Sequence, residues 1–204
     1  MKHLRRTLLL AAASAVFLGA CSDKPADATA SGFSGIDITG ADYAKGFTLT
    51  DHNGQTRSLA DFKGRVVVVF FGFTQCPDVC PTSMGELAEA RRLLGPQGDK
   101  LQGLFISVDP ERDTPEIMKA YMASFDPSFL ALYAAPDQLP ELAKSFKIYY
   151  KKVEGKTPTS YTMDHSAGSY VYDTQGRVRL YQRYGSGAAA LAGDVKKLLA
   201  EAGL

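Results

Sequence analysis

The sequence predicts an α/β fold in which a central mixed β-sheet is flanked by helices. Two observations carry this prediction. Segments rich in β-branched and aromatic residues alternate with helical segments through the middle of the chain, and the chain then ends in a hairpin followed by a helix. Alternating strands and helices indicate parallel strands, whereas a hairpin adds antiparallel ones.

The first elements are a hairpin, a buried strand and a helix. FTLT and QTRSL flank a turn at Asn53-Gly54, a dipeptide typical of tight hairpins. His52 lies in this turn and is interpreted as a solvated turn residue. The continuous apolar run RVVVVFF (65–71) predicts a strand covered on both faces. A helix is then predicted from Pro81 to Leu94, ended by Gly95-Pro96.

The remaining elements follow in the same alternation. Thr114 before Pro115 marks a helix start, because a capping residue precedes a proline at the first helical position. The predicted segments are a strand at 101–108, this helix to Phe125, a strand at 129–134, a helix at 139–146, a hairpin at 170–173 and 178–182, and a helix at 187–202. Their order is that of a thioredoxin-like fold with an added N-terminal β-hairpin and an internal insertion.

The first 20 residues have the layout of a secretory signal. A basic start, MKHLRR, precedes the short apolar run TLLLAAASAVFL, which is well below the roughly 20 residues of a membrane-spanning helix. LGAC (18–21) resembles a bacterial lipobox, which would make Cys21 a lipidated N-terminus. A plain signal peptide with an incidental cysteine is the alternative. Residues 21–42 are small and polar and predict a flexible tether, which leaves 43–204 as the folded domain.

The net charge and the expected export of the protein restrict the classes of function that the sequence supports. The net charge of the 204-residue chain is +1, and it becomes −2 when Lys2, Arg5 and Arg6 leave with the signal. This balance does not indicate a nucleic-acid partner. An exported domain lies in the bacterial cell envelope, where disulfides form readily.

Two of the three cysteines lie in FFGFTQCPDVCPTSM (70–84), where the buried strand gives way to a helix. Pro81 has no N–H for the carbonyl of Pro77, so the helix is expected to start at Pro81, with Cys80 at its cap and Cys76 in the preceding loop. Both sulfurs would then lie near a helix N-terminus, which favours thiolates over thiols.

The spacing of these cysteines leaves a disulfide and a metal site open. Cβ atoms four residues apart on a helix are about 5–6 Å apart, whereas a disulfide needs about 3.5–4.5 Å. A metal ion tolerates the wider gap, and two thiolates suit Cu(I), Zn(II) or an iron–sulfur cluster. No second cysteine pair is present, so a third ligand would be histidine. His165 lies in the loop before the terminal hairpin, which in a thioredoxin-like sheet is beside the start of the first helix.

Three motifs resemble the Sco/SenC family. They are FGFTQCPDVCPTSM, VDPERDTP (108–115) and YTMDHSAGSYVYD (161–173), and the likeness extends over roughly residues 47–199. The resemblance implies a membrane-tethered copper chaperone that helps to assemble the CuA centre in subunit II of cytochrome c oxidase. It also implies that Cys76, Cys80 and His165 bind copper. The family often has Tyr at Phe73 and His at Gln75.

The copper expected from this resemblance is Cu(I), or Cu(II) where oxygen or nitrogen completes a tetragonal shell. Two acidic residues are candidates for supporting roles. Asp78 lies between the cysteines and could tune or transiently bind the metal, although an acid near a helix N-terminus is also favourable by itself. Asp164 is expected to orient His165. The loop from Asp109 to Thr114 is expected to cap a helix.

A thiol–disulfide oxidoreductase is the alternative function. Cys76 would attack, Cys80 would resolve, and partner cysteines would be kept reduced so that they accept metal. Typical members of that class have a two-residue spacing, often after tryptophan, and a Thr-Pro peptide facing the thiols. This chain has a three-residue spacing, no tryptophan and only Thr157-Pro158 as a candidate peptide. A redox protein has no evident need for His165, and a copper site does.

Overall fold

A computed structural model describes residues 32–157 and 160–204 of the chain. The predicted signal segment, Cys21 and the first half of the predicted tether lie outside these residues. The described strands are β1 (Ile36–Asp37), β2 (Thr48–Asp51), β3 (Thr56–Ser58), β4 (Val66–Gly72), β5 (Leu101–Ser107), β6 (Leu130–Tyr133), β7 (Tyr150–Val153), β8 (Thr162–His165), β9 (Ser169–Tyr172) and β10 (Val178–Gln182). The α-helices are α1 (Val79–Leu93), α2 (Pro115–Ala123), α3 (Leu139–Ser145) and α4 (Ala188–Glu201).

Eight of these strands form one mixed sheet, in the order β1-β10-β9-β4-β5-β6-β2-β3. The three central strands β4, β5 and β6 are parallel, and the strands on either side of them pair antiparallel. Every residue of β4 and β5 is buried, as continuous apolar runs predict for central strands. The predicted mixed sheet of a thioredoxin-like fold is confirmed.

Helices cover this sheet and place the end of β4 beside the start of α1. Helices α1 and α4 pack against each other, and α2 packs on β6. Helix α2 begins as predicted, with the Thr114 hydroxyl accepting a hydrogen bond from the Ile117 N–H and Pro115 in the first position. Both predicted hairpins are also present.

Helix α1 begins two residues earlier than the predicted start at Pro81. Asp78 is its N-cap, Val79 its first residue and Cys80 its second. The first backbone bond of the helix runs from the Thr82 N–H to the Asp78 carbonyl, at 3.1 Å. The nitrogen of Pro81 therefore falls among the first positions, whose N–H groups have no partner within a helix. Proline therefore breaks no backbone hydrogen bond there, and the prediction that Cys80 caps the helix is wrong.

The internal insertion contains a second, two-stranded sheet that the sequence analysis does not predict. Strands β7 and β8 pair antiparallel, with Tyr150 opposite His165 and Lys151 opposite Asp164. His165 is thus the last residue of a strand rather than part of a loop.

The folded domain also begins earlier than residue 43. Phe33 is buried, the N–H groups of Ser34 and Gly35 donate to the buried carboxylate of Asp194, and β1 pairs with β10. Residues 32–42, which the sequence assigns to the tether, are therefore held on the domain by backbone pairing and an apolar anchor. None of the helices in the described part of the chain combines the length and apolarity needed to cross a bilayer.

Candidate metal centre

Cys76 and Cys80 lie where the chain leaves β4 and enters α1. Cys80 is fully buried in the first turn of the helix, and Cys76 is half-buried in the preceding loop. The backbone N–H of Cys80 donates to the Cys76 sulfur at 3.4 Å. The helix N-terminus therefore contributes a donor to Cys76, as the sequence predicts. Both thiols are free.

Gly72, the last residue of β4, makes room for the buried sulfur. A Cβ atom at this position would lie 2.7 Å from the sulfur of Cys80, 2.8 Å from the ring of Phe70 and 2.9 Å from the ring of Phe105. The absent side chain lets the sulfur pack directly on the backbone at the end of the strand. This close approach, rather than a special backbone conformation, explains the glycine.

His165 reaches the same place from the end of β8. Its Nε2 lies 3.4 Å from the sulfur of Cys80. Its Nδ1 lies 2.9 Å from the Ser166 carbonyl, an acceptor, so Nδ1 carries the proton and Nε2 presents a lone pair. The rings of Phe70 and Phe73 stand edge-on to the imidazole, with centroids 6.0 and 5.7 Å away. Packing and one hydrogen bond thus fix the tautomer and the orientation of the ring.

Together the two sulfurs and this nitrogen form a set suited to a metal ion. All three ligand atoms lie within 4.8 Å of one another. A metal about 2.0–2.3 Å from each ligand separates neighbouring ligands by roughly 3.5–4 Å, so the site needs little movement to close around an ion. Two thiolates and an imidazole suit soft and borderline cations.

Burial shapes the protonation of this site. It raises the pKa of the Cys80 thiol, and the neighbouring Cys76 and Asp113 raise it further. The expectation that Cys80 favours a thiolate is therefore wrong for the metal-free protein, because burial outweighs the helix N-terminus. Burial also lowers the pKa of His165, which keeps the imidazole neutral. A coordinated cation would replace the thiol proton, since metal binding deprotonates thiols outright.

Neither candidate acidic residue joins the cluster. Asp78 is exposed at the N-cap of α1, and its carboxylate makes no capping bond. Asp164 is exposed and precedes His165 on β8, so it points to the opposite face of the strand, beside Lys151. The Ser166 carbonyl, not Asp164, orients the imidazole.

A polar network that the sequence analysis treats only as a capping loop supports the cysteine loop. The buried carboxylate of Asp113 accepts bonds from the N–H and hydroxyl of Thr74 and from the hydroxyl of Ser107, at 2.6–3.2 Å. Thr74 is two residues before Cys76. Burial raises the pKa of Asp113 even though these bonds favour its carboxylate.

Arg112 connects the cysteine loop to the strand that carries His165. Its guanidinium lies 3.5 Å from the centre of the Tyr161 ring and pairs with the buried Asp109. The same group donates to the Tyr161 carbonyl at 2.8 Å and to the Gln75 side chain at 3.2 Å. The charged residues of VDPERDTP are the only signal for this role in the sequence, and they do not show that the partners of Arg112 are buried.

Two further residues from the sequence analysis, Thr157 and His52, take no part in the described metal cluster. Thr157 is exposed, and Pro158 is outside the described residues. His52 is half-buried rather than solvated, because its Nδ1 accepts a bond from the Ala131 N–H at 3.1 Å. It holds the hairpin β2–β3 on β6 and takes no part in the metal cluster.

Comparison with known proteins places this arrangement in a family. The SCO1/SenC family model matches residues 37–200. The chain is 36% identical to the SCO2-like protein of Rickettsia felis over 132 residues, which are 64% of each protein. It is 35% identical to the bovine mitochondrial protein SCO2 homolog over 156 residues, 76% of this chain and 59% of the relative. The matches thus span about three fifths of these relatives.

Solved structures show the same likeness. The structure of Bradyrhizobium japonicum ScoI with copper bound superposes with a TM-score of 0.68 and 42% identity, covering 75% of this chain and 97% of that one. For yeast Sco1 with copper bound the TM-score is 0.67 and the identity 28%, over 74% and 85% of the two chains. Apo Sco1 of Thermus thermophilus gives 0.70 and 36%, over 83% and 96%. The chain belongs to the SCO1/SenC family.

Proposed function

We propose that the protein is a copper chaperone that binds Cu(I) through Cys76, Cys80 and His165 and passes it to an acceptor protein. The observation that carries this proposal is the convergence of two sulfurs and the lone pair of Nε2 within 4.8 Å. Thiolates and imidazole are the ligands that Cu(I) prefers. The copper-bound structures of similar proteins support this choice of metal over zinc.

The unequal exposure of the two cysteines suits a carrier. Cys80 is enclosed by Gly72 and the aromatic side chains, so it would hold the ion firmly. Cys76 is half-buried at the rim and would be the first ligand to exchange with a thiolate of the acceptor. Copper would therefore move through an intermediate shared between the two proteins, without release into solvent. Cu(II) would also fit where an oxygen or nitrogen ligand is added.

The acceptor that we propose is the CuA domain in subunit II of cytochrome c oxidase, as the family resemblance implies. We place the protein in the bacterial cell envelope, attached to a membrane through a lipid on Cys21. The anchor would precede the described domain, in which Phe33 is the first buried residue. Such an anchor would restrict the search for the acceptor to the membrane surface.

Copper binding and transfer can be tested on the purified, reduced full-length chain under anaerobic conditions. We expect one Cu(I) per chain, lost in Cys76→Ser and Cys80→Ser, and transfer to the apo CuA domain of subunit II. Labelling of the protein in cells with radioactive palmitate, and mass spectrometry of the peptide that contains Cys21, would each test the anchor independently of copper binding. Failure of the intact site to bind Cu(I) would contradict the proposal.

A thiol–disulfide oxidoreductase is the second candidate, favoured by the free thiols and the half-exposed Cys76. The buried, protonated Cys80 would resolve a mixed disulfide formed at Cys76. Reduction of an oxidised CuA domain by the protein, unaffected by His165→Ala, would support this activity. It is compatible with copper delivery, because an acceptor must have reduced thiols before it binds Cu(I).

A further inference from the structure

Tyr121, on helix α2, has a buried hydroxyl without a hydrogen-bond partner among the described residues. Its ring packs against Phe105 and Phe125, with centroids 5.6 and 5.1 Å away. A buried hydroxyl normally finds a partner, because losing water without replacement is unfavourable. Packing alone would be served as well by phenylalanine. We therefore expect this hydroxyl to form a hydrogen bond when a ligand binds or in another state of the protein.

The surroundings of this hydroxyl point to the metal centre. Phe105 contacts Tyr121 and also lies close to the Cys80 sulfur. A Cβ atom added at Gly72 would be 2.9 Å from the Phe105 ring and 2.7 Å from this sulfur. Burial raises the pKa of Tyr121, and negative charge on Cys80, Cys76 and Asp113 raises it further. The hydroxyl therefore stays protonated and remains a hydrogen-bond donor. It donates to neither sulfur in this structure.

Copper binding changes the charge at this place. Cu(I) with two thiolates and a neutral imidazole carries a net charge of −1, while Cu(II) with the same ligands is neutral. The site is lined by Phe70, Phe73 and Phe105, and the described donors to its sulfurs are the backbone N–H groups of Cys80 and Phe73. An excess negative charge in such surroundings is stabilised by each available donor.

We propose that the Tyr121 hydroxyl stabilises the Cu(I) form of the site by donating a hydrogen bond to a copper-bound sulfur. It is a positioning residue, not a ligand. This inference rests on the proposed function, because it needs Cu(I) at Cys76, Cys80 and His165. This hydrogen bond would favour binding of Cu(I) over Cu(II), since only the Cu(I) form of the site carries the extra negative charge.

Tyr121→Phe tests the inference, because it removes the hydroxyl and keeps the ring. The reduced, anaerobic full-length chain would compete with a chromophoric Cu(I) chelator, and a separate titration would give the Cu(II) affinity. We expect roughly a tenfold loss of Cu(I) affinity, the range for a hydrogen bond to a charged group, with little change for Cu(II). Thermal stability of the metal-free variant should be unchanged or higher, because no bond is lost.

Tyr172→Phe is the matched control. The Tyr172 hydroxyl is buried and donates to the Ala44 carbonyl at 2.8 Å, away from the thiols. Its removal should lower the stability of the metal-free protein and leave Cu(I) affinity unchanged. Equal Cu(I) affinity of Tyr121→Phe and the parent, or equal losses for Cu(I) and Cu(II), would overturn the inference. If the parent itself failed to bind Cu(I), the proposed function would fail first.

Discussion

Cys76 and Cys80 lie four residues apart at the junction of β4 and α1, whereas His165 reaches the Cys80 sulfur from 85 residues farther along the chain. The cysteine region is attached to the central strand of the main sheet. The histidine region is the end of a separate two-stranded sheet. The site is therefore half local and half long-range, and Arg112 and the aromatic contacts join the halves.

The two regions also differ in how closely they are packed into the hydrophobic core. The cysteine region is enclosed by buried side chains, so the thiol chemistry is tied to the stability of the core. The histidine region has few buried residues of its own, and β7 has no buried residue. The position of His165 consequently depends on contacts that β7–β8 makes with the rest of the domain.

The largest expected effect separates the two histidines. His165→Ala should lower Cu(I) affinity by more than about tenfold, because even partners outside the ligand shell typically contribute 10–100-fold. His52→Ala should leave Cu(I) affinity unchanged and cost about 1 kcal/mol of stability through the lost bond from Ala131. Chelator competition and thermal unfolding of both variants give these values. Similar Cu(I) affinities for the two variants would contradict the assignment of His165.

Arg112→Lys should loosen the connection between the two regions. Lysine keeps the charge but cannot bond Asp109, Tyr161 and Gln75 with one planar group. We expect a loss of about 2 kcal/mol in unfolding free energy, typical of bonds to a buried charged partner, and weaker Cu(I) binding. The control is Arg92→Lys, on the exposed face of α1 and paired with Glu89, which should have no measurable effect. Unchanged copper binding in Arg112→Lys would show that the regions are held together by other contacts.

Gly72→Ala tests the cysteine region alone. The added methyl group would clash with the Cys80 sulfur and two aromatic rings, and overpacking of this kind costs about 1–3 kcal/mol. Cu(I) affinity should also fall as the sulfur moves. Gly85→Ala, within α1 where a Cβ meets no atom within 4 Å, should instead stabilise by about 1 kcal/mol. Equilibrium unfolding in denaturant measures both, and equal stabilities would refute the packing argument.

The smallest effect is a pH dependence of the metal-free protein. Burial lowers the pKa values of His165 and His52 below the usual 6.5, so the unfolded chain binds more protons between that value and the lower folded ones. Stability from this source is complete above about pH 6.5 and is lost as the pH falls through the folded pKa values. Unfolding at several pH values, repeated with His165→Ala, should show a weaker acid loss in the variant. A stability that increases on acidification in this window would contradict the burial of a neutral imidazole.

Much of the fold could be predicted because its signals are local. The valine run of β4, the Thr114-Pro115 start of α2 and the Asn53-Gly54 turn each depend on neighbouring residues only. The cysteine pair was identified for the same reason. The observed start of α1 differs from the predicted one because the third helical position, where Pro81 lies, is as free of an N–H partner as the first.

The elements that the sequence does not predict depend on contacts between residues that are far apart along the chain. Strands β7 and β8 are four residues each and are separated by eight residues, without a tight-turn signal to link them. Strand β1 has two residues, and the anchoring of residues 33–35 depends on Asp194 near the other end of the chain. The predicted role of Asp164 is wrong because strand alternation turns its side chain away from that of His165.

X-ray absorption at the copper edge of the Cu(I)-loaded, reduced full-length chain tests the central claim most directly. Our account, in which two separate regions complete one site, predicts two sulfur ligands and one nitrogen ligand, with the nitrogen lost in His165→Ala. Two sulfurs alone, in a spectrum that His165→Ala does not change, would contradict it and leave the histidine region without a part in holding the metal.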